Sequence, residues 1–328
     1  MKKIICLAHD PGGYDALCPL GEIFDEFYCL GPAAQLDKKR GTSEYLACER
    51  IRSALVRKEI SLLVTATSWG STFESEMRKL CHEHGVINVT LLDFWSNYRD
   101  RFRLADGYFY PDYFIVMDEL ARADAVADGI PAEITRVLGQ PAFDKYLQAS
   151  KGYRKRSERA GKLLFLSQPL SLSVKEDQGY NEWTVLADCL QAADSFRLSV
   201  MVKFHPKDTP EFYAKYKKYE VKGDLFELLS EYDIVIGMNS IALLHACLLG
   251  CQAVSYQPNL QGKDYCMTNK LGLTKAVTSY EQLLDELFAI QAGKTGSFRQ
   301  LQKGNSDEYI WLDGESTARV AEFIKNLL

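Results

Sequence analysis

Ile4-Ile5-Cys6-Leu7-Ala8-His9-Asp10-Pro11-Gly12-Gly13 sets the pattern from which the rest of the chain is read. A continuous apolar run, Ile4–Ala8, predicts a strand buried on both faces, because a half-exposed strand would alternate apolar and polar side chains. Asp10-Pro11-Gly12-Gly13 predicts a tight turn. The stretch Tyr14–Glu26 then predicts a helix packed back over the strand. Strand, turn and helix in that order open a βαβ unit.

The same alternation runs outward from this stretch. Strands are expected at Phe27–Leu30, Ser61–Thr67, Val86–Leu92, Phe114–Met117 and Thr135–Leu138, with helices at Ser43–Arg57, Ser71–His84 and Glu119–Ala127. From Gln148 to Lys162 the chain turns polar and basic (Lys151, Arg154, Lys155, Arg156, Arg159), which suits a linker and a connecting helix. The alternation then restarts, with strands at Leu163–Ser167, Ser199–Phe204, Asp233–Gly237 and Ala253–Tyr256. Helices are expected between and after them at Trp183–Ala193, Leu225–Ser230, Ile241–Leu249 and Tyr280–Ile290. The expected fold class is α/β, with two parallel sheets covered by helices and no sequence repeat between the halves. The first domain spans residues 1–150, a linker 151–162, and the second domain 163–312. A last segment, 313–328, places Val320, Phe323, Ile324 and Leu327 at helical spacing, and this helix is expected to return to the first domain. The total of 328 residues fits two domains at roughly 150 each.

Composition narrows the class. With 47% hydrophobic and 25% charged residues the chain is an ordinary globular protein, and disorder, collagen and coiled coil are excluded. Lys and Arg number 39 against 44 Asp and Glu, a net charge of −5, so no nucleic-acid partner is expected. The nine cysteines form no CxxC pair, and several sit in apolar runs, which suits reduced thiols of a cytoplasmic protein. No His or Cys cluster has zinc-ligand spacing, so no metal is expected. The N-terminal apolar stretch is cut by His9-Asp10-Pro11 to about five residues, below the length of a signal-peptide core. No run approaches the about 18 apolar residues of a membrane span.

In open parallel sheets ligands bind beyond the carboxyl ends of the strands. In the first half, those ends carry His9, Asp10, Gly12 and Gly13, then Ser68, then Asp93, Trp95 and Asn97. In the second they carry Ser167 and Gln168, then Lys203 and His205, then Asn239 and Ser240, then Gln257 and Asn259. Two sheets whose loop ends face each other would place these residues around one interdomain cleft. Gly12-Gly13 would let a ligand approach backbone N–H groups at a helix N-terminus, or simply make a turn that Asp10 caps. The turn lacks the full dinucleotide fingerprint and any Walker lysine. Asp10 as a free carboxylate could deprotonate a hydroxyl. In Lys203-Phe204-His205-Pro206-Lys207, Pro206 ends the strand and leaves His205 among lysines, which suits a diphosphate. Ser240 either caps the following helix or holds a phosphate together with nearby N–H groups. His245 shares a helical face with Ile241, Leu244 and Leu248, so burial and ligand contact are both open to it. Asp93, Trp95 and Asn97, with Arg99, Arg101 and Arg103 that follow, form an aromatic and cationic loop that could bind a sugar face or an acidic substrate group, or pack between the domains. The run Tyr213–Tyr219 could touch an anionic membrane or form a solvated helix face.

Taken together, the two Rossmann-like halves, His205-Pro206 and Asn239-Ser240 opening a helix that ends at Gly250 resemble GT-B glycosyltransferases. Val137-Leu138-Gly139-Gln140-Pro141-Ala142-Phe143-Asp144 is similar to the G-N-P-x-x-D segment at the end of the first domain in many GT-B proteins. The likeness is to bacterial surface-polysaccharide enzymes of the sialyltransferase-like and capsule type, and to CDP-glycerol glycerophosphotransferases and non-hydrolysing UDP-N-acetylglucosamine (UDP-GlcNAc) 2-epimerases. It implies a GT-B fold with a donor site in the second domain: Ser167, Gln168, Lys203, His205, Pro206, Asn239, Ser240 and His245. It also implies an acceptor site in the first: Gly12, Gly13, Asp93, Trp95 and Asn97. By the same resemblance, His205 and Ser240 would hold the donor phosphate and Asp10 would be the general base, giving inversion. The chain departs from the pattern at Pro11, which separates Asp10 from Gly12, and at His245, where many relatives carry a ribose-binding glutamate. The implied activity is metal-independent, cofactor-free glycosyl transfer from a nucleotide sugar to a glycan or lipid-linked acceptor, at the inner face of the membrane where the acceptor is lipid-linked. The alternatives are epimerase-like or glycerophosphotransferase-like chemistry, or a non-catalytic nucleotide-binding protein.

Overall fold

The computed structural model describes residues 2–68, 70–150, 161–172, 178–294 and 310–328. The chain divides into two compact units, Met1–Lys145 with Asn305–Leu328, and Tyr146–Gly304. Residues 151–160 of the expected linker lie outside the described residues, and the helix Pro141–Ser150 occupies the stretch before them.

The first unit contains β1 (Lys3–Ala8), β2 (Glu26–Cys29), β3 (Ile60–Thr65), β4 (Ile87–Leu91), β5 (Arg103–Leu104), β6 (Gly107–Tyr108), β7 (Tyr113–Val116) and β8 (Thr135–Val137). Six of these form one sheet in the order β2-β1-β3-β4-β7-β8, every neighbour parallel, and β5 and β6 make a small antiparallel pair. Successive β1 side chains point to opposite faces, and each face meets its own core. Ile4, Cys6 and Ala8 join Leu17, Val320 and Ile324. Ile5 and Leu7 join Ala47, Ile51, Leu55, Met77 and Cys81. The apolar run therefore reflects helices on both sides. One of them is the final helix, Ser316–Lys325, which the sequence assigns to the first domain.

The second unit contains β9 (Lys162–Leu166), β10 (Ser199–Lys203), β11 (Ile234–Gly237), β12 (Gln252–Tyr256) and β13 (Ala276–Val277), in the order β10-β9-β11-β12-β13, again all parallel. Its core sets Leu163, Phe165, Ile234, Ile236 and Val254 against Val185, Cys189, Phe212, Leu283 and Leu287 of the covering helices. The architecture is the expected α/β one of two Rossmann-like domains.

Two local expectations change, both in the first helix. The first helix starts at Pro11, not Tyr14, because proline suits the first helical position, where its missing N–H costs nothing. It ends at Leu17, and Pro19 turns the continuation into a 3-10 helix, Cys18–Ile23. Gly12 and Gly13 thus sit in a helical first turn. In the run Tyr213–Tyr219, the helix Pro210–Tyr216 buries Phe212 and Tyr216 and leaves Tyr213 at the surface, and Lys215 lies over Trp183. Among the described residues no helix is long and apolar enough to cross a membrane.

Candidate functional site

In the second unit the carboxyl ends of neighbouring strands carry a connected row of polar groups. Past β10, His205-Pro206-Lys207-Asp208 closes as a turn, with the Asp208 N–H donating to the His205 carbonyl at 3.0 Å and Pro206 at its second position. The Asp208 carboxylate bonds back: Oδ2 accepts the His205 N–H at 2.8 Å and Oδ1 accepts the Ser167 hydroxyl, past β9, at 2.9 Å. Burial pushes the Asp208 carboxyl above the usual carboxylate range, with the His205 N–H and the Ser167 hydroxyl opposing it. The Lys207 N–H donates to His205 Nδ1 at 3.1 Å, so a neutral ring carries its proton on Nε2.

The row continues across β9, β11 and β12. Gln168 and Asn239 bond reciprocally: the Gln168 amide donates to Asn239 Oδ1 at 2.9 Å and accepts the Asn239 N–H at 3.0 Å. Asn239 Nδ2 reaches Gln178 Oε1 at 3.4 Å, and the Tyr180 hydroxyl lies 2.9 Å from Gln178 Oε1 and 2.7 Å from Gln257 Oε1. Gln257 and Asn269 both donate to Asp264, at 2.9 and 2.8 Å. Ser240, one residue before the N-cap Ile241 of the helix Ala242–Leu248, accepts the Ala242 N–H at 3.2 Å. The row thus joins Ser167, Gln168, His205 and Asn239, with Ser240 beside them. The other three residues expected at the donor site have their own contacts. Lys203 donates to the Gly223 carbonyl at 2.8 Å, and Pro206 is an exposed turn residue. His245 stacks on Tyr146, ring centroids 4.5 Å apart. Asn259 adopts φ +59° in the loop after β12.

The first unit gathers charges instead. Asp10 precedes the helix Pro11–Leu17 without a side-chain cap to it, which removes the capping account. Its carboxylate instead accepts from His9 Nδ1 at 2.7 Å, and His9 Nε2 stands 3.5 Å from Glu44. Gly12 is exposed and packed against Asp93: a Cβ there would lie 2.6 Å from Asp93 Oδ2, so a side chain at this position would displace the carboxylate. Asp93 Oδ1 accepts from Thr67 at 2.9 Å and from Arg101 at 2.6 Å, and this ion pair is 14% and 5% exposed at its two side chains. Gly13 is buried against Ala66. Ser68 donates to Glu74 Oε2, while Glu74 Oε1 has no hydrogen-bond partner among the described residues. Burial raises the Glu74 carboxyl, opposed by Ser68 and Arg78. Burial also pulls the Arg78 guanidinium down to about 10, with Glu74 opposing.

Trp95 and Asn97 stand apart from this cluster. Trp95 is 3% exposed and stacked on Phe143 with centroids 5.9 Å apart. Its Nε1 donates to Asp118, as does Nε1 of Trp311 at 2.9 Å. Burial raises the Asp118 carboxyl. The ring therefore packs inside the unit and offers no face to a sugar, which corrects the acceptor reading of Trp95. Asn97, at φ +54°, is an exposed turn residue whose carbonyl accepts the Arg101 N–H at 3.3 Å. The Gly139–Asp144 segment holds the C-terminal helix. Gly139, at φ +91°, leaves no room for a Cβ beside Ser316, and Asp144 accepts the Ser316 and Thr317 N–H groups at 3.3 and 2.7 Å. Among the described residues no group of three His, Cys, Asp or Glu side chains could hold a metal ion.

Sequence reasoning missed Asp208, Gln178, Tyr180 and Glu74 as members of these networks, and it placed Arg101 in the loop of Asp93 without pairing the two. Asp208 had one available signal, an acidic residue two positions beyond a proline-closed turn.

No protein-family model matches the chain, and no curated protein matches it in sequence. Solved structures do match over its whole length. The UDP-GlcNAc 2-epimerase of Methanocaldococcus jannaschii aligns at TM-score 0.66 and 11% identity, covering 98% of this chain and all of its own. A putative UDP-N-acetylglucosamine 2-epimerase of Listeria monocytogenes aligns at TM-score 0.70 and 14% identity, covering 99% and 96%. The Anabaena protein Alr3699/HepE, solved with UDP and glucose, aligns at TM-score 0.58 and 14% identity, covering 99% and 100%. The chain has the GT-B-like fold of these proteins: two Rossmann-like domains, each built on a parallel sheet.

Proposed function

We propose that the protein is an enzyme acting on a nucleotide-diphosphate sugar, in the manner of a non-hydrolysing UDP-GlcNAc 2-epimerase. The observation that carries this reading is the full-length likeness to structures bearing that name, 98% and 99% of this chain being covered. The second unit would seat the diphosphate on Ser167, Gln168, His205, Asn239 and Ser240, with His205 Nε2 donating to a phosphoryl oxygen. Lys203 and Pro206 would shape the loop around it, and His245 would border it from the helix. The first unit would face the sugar with Asp10, Gly12, Gly13 and Asp93. Epimerisation needs one group to take a proton from carbon and another to return one on the opposite face. Carboxyl groups whose environments differ, as those of Asp10, Asp93 and Glu74 do here, suit that division of labour.

A second reading is an inverting glycosyltransferase with Asp10 as base. It is favoured by the Asp10 carboxylate, which binds His9 instead of capping the helix. In that reading the acceptor is a glycan or a lipid-linked sugar, met at the inner face of the membrane in the lipid-linked case. Neither reading calls for a metal or a further cofactor.

Incubation with UDP-GlcNAc alone in D2O, followed by proton NMR, separates the readings. The epimerase reading expects a second UDP-sugar to accumulate with deuterium at the inverted carbon. It falls if UDP-GlcNAc binds but stays unchanged until an acceptor is added, which is the transferase result. Turnover of CDP-glycerol instead would mark the glycerophosphotransferase alternative. Nucleotide binding without turnover, unaffected by Asp10→Ala, would mark a binding protein.

A further inference from the structure

We infer that Asp208 is the positioning residue of the second unit's phosphate seat, holding His205 in one rotamer and one tautomer so that Nε2–H faces an incoming nucleotide diphosphate. This rests on the reading of that unit as the nucleotide site, and it adds a residue and a role to it. His205 is exposed and follows an edge strand, so nothing in the sheet itself fixes its backbone. Asp208 fixes it on three counts. Its N–H closes the turn on the His205 carbonyl, its Oδ2 takes the His205 N–H, and its Oδ1 ties the turn to Ser167 on the neighbouring strand. The closed turn brings the Lys207 N–H to Nδ1, which leaves Nε2 as the only ring donor of a neutral imidazole. A donor held in place before the ligand arrives loses less freedom on binding.

The test uses the full chain, 15N-labelled at histidine, with UDP as the probe. In the wild type the His205 ring nitrogens should report a proton on Nε2 and an acceptor at Nδ1. Asp208→Ala should scramble that tautomer and weaken UDP binding by about tenfold, the order expected for losing one well-placed charge-assisted hydrogen bond. Asp208→Asn keeps an acceptor for the His205 N–H, so it should restore both signals. A merely structural Asp208 would lower the melting temperature without moving the tautomer, and that result overturns the inference. So does unchanged UDP affinity in Asp208→Ala with the tautomer scrambled. If Asp208→Ala does not fold, Asp208→Leu, which keeps the bulk but accepts no hydrogen bond, takes its place, and an unaltered His205 spectrum there overturns the inference equally. A wild type that binds no UDP but shows the fixed tautomer, lost in Asp208→Ala, refutes the nucleotide reading while upholding Asp208 as the residue that positions His205.

Discussion

At the carboxyl end of the first sheet the polar side chains are charged, and two pairs are matched, His9 with Asp10 and Arg101 with Asp93, while Glu74 and Arg78 lie buried nearby on one helix. At the same end of the second sheet they are amides and hydroxyls, Ser167, Gln168, Gln178, Tyr180, Asn239 and Gln257, with Asp208 and Asp264 receiving their hydrogen bonds. The difference teaches what each end can do. A buried charge is tolerated where a partner offsets its loss of water, and carboxylates held this way are fixed in place beside their donors. At the second end the two carboxylates are engaged in accepting from hydroxyl, amide and backbone donors, so the network is held by hydrogen-bond geometry and not by charge pairing.

The contrast breaks most visibly at Arg101. Arg101→Met removes one member of a buried pair and leaves the Asp93 carboxylate uncompensated, so a loss of about 3–5 kcal/mol is expected. Urea unfolding followed by tryptophan fluorescence checks it; a loss below about 1 kcal/mol would mean that the pair is effectively solvated, as surface pairs are. Gln168→Ala removes two neutral hydrogen bonds, and about 1–2 kcal/mol is expected from the second unit. The same denaturant series reads it, and a cost equal to that of Arg101→Met would erase the distinction between the two ends.

The smallest effect sharpens the comparison through pH. Burial raises the Glu74 carboxyl above the usual carboxylate range. A raised acid contributes stability that is fully present below its unfolded pKa and is lost as pH rises through its folded pKa. Glu74→Gln cannot titrate, so its stability relative to the wild type should be greater at pH 8 than at pH 4. Thermal unfolding at the two pH values decides it, and a difference that does not change with pH would place the Glu74 carboxyl in water.

How far the site was legible follows from how local each contact is. Ser167, Gln168, His205 and Asn239 were readable because each directly follows an apolar strand, and strand ends in a parallel sheet share one edge. Asp208 was not, since its importance comes from a turn that folds it back onto His205 and across to β9. Glu74 and Arg78 lie in a helix whose first turn also carries exposed polar residues, so their complete burial has no signature in the spacing. Trp95 read as a ligand-facing ring because its loop is polar; its real neighbours, Phe143 and Trp311, are remote in sequence.

By itself the sequence settled the alternation of strands and helices, the parallel sheets and the return of the last helix. These depend on side-chain periodicity and chain connectivity, which are properties of neighbouring residues. Only the tertiary structure decided which polar groups are buried, paired or presented. Desolvation and hydrogen bonding depend on what lies across space, as when Asp144 caps a helix that begins 172 residues later.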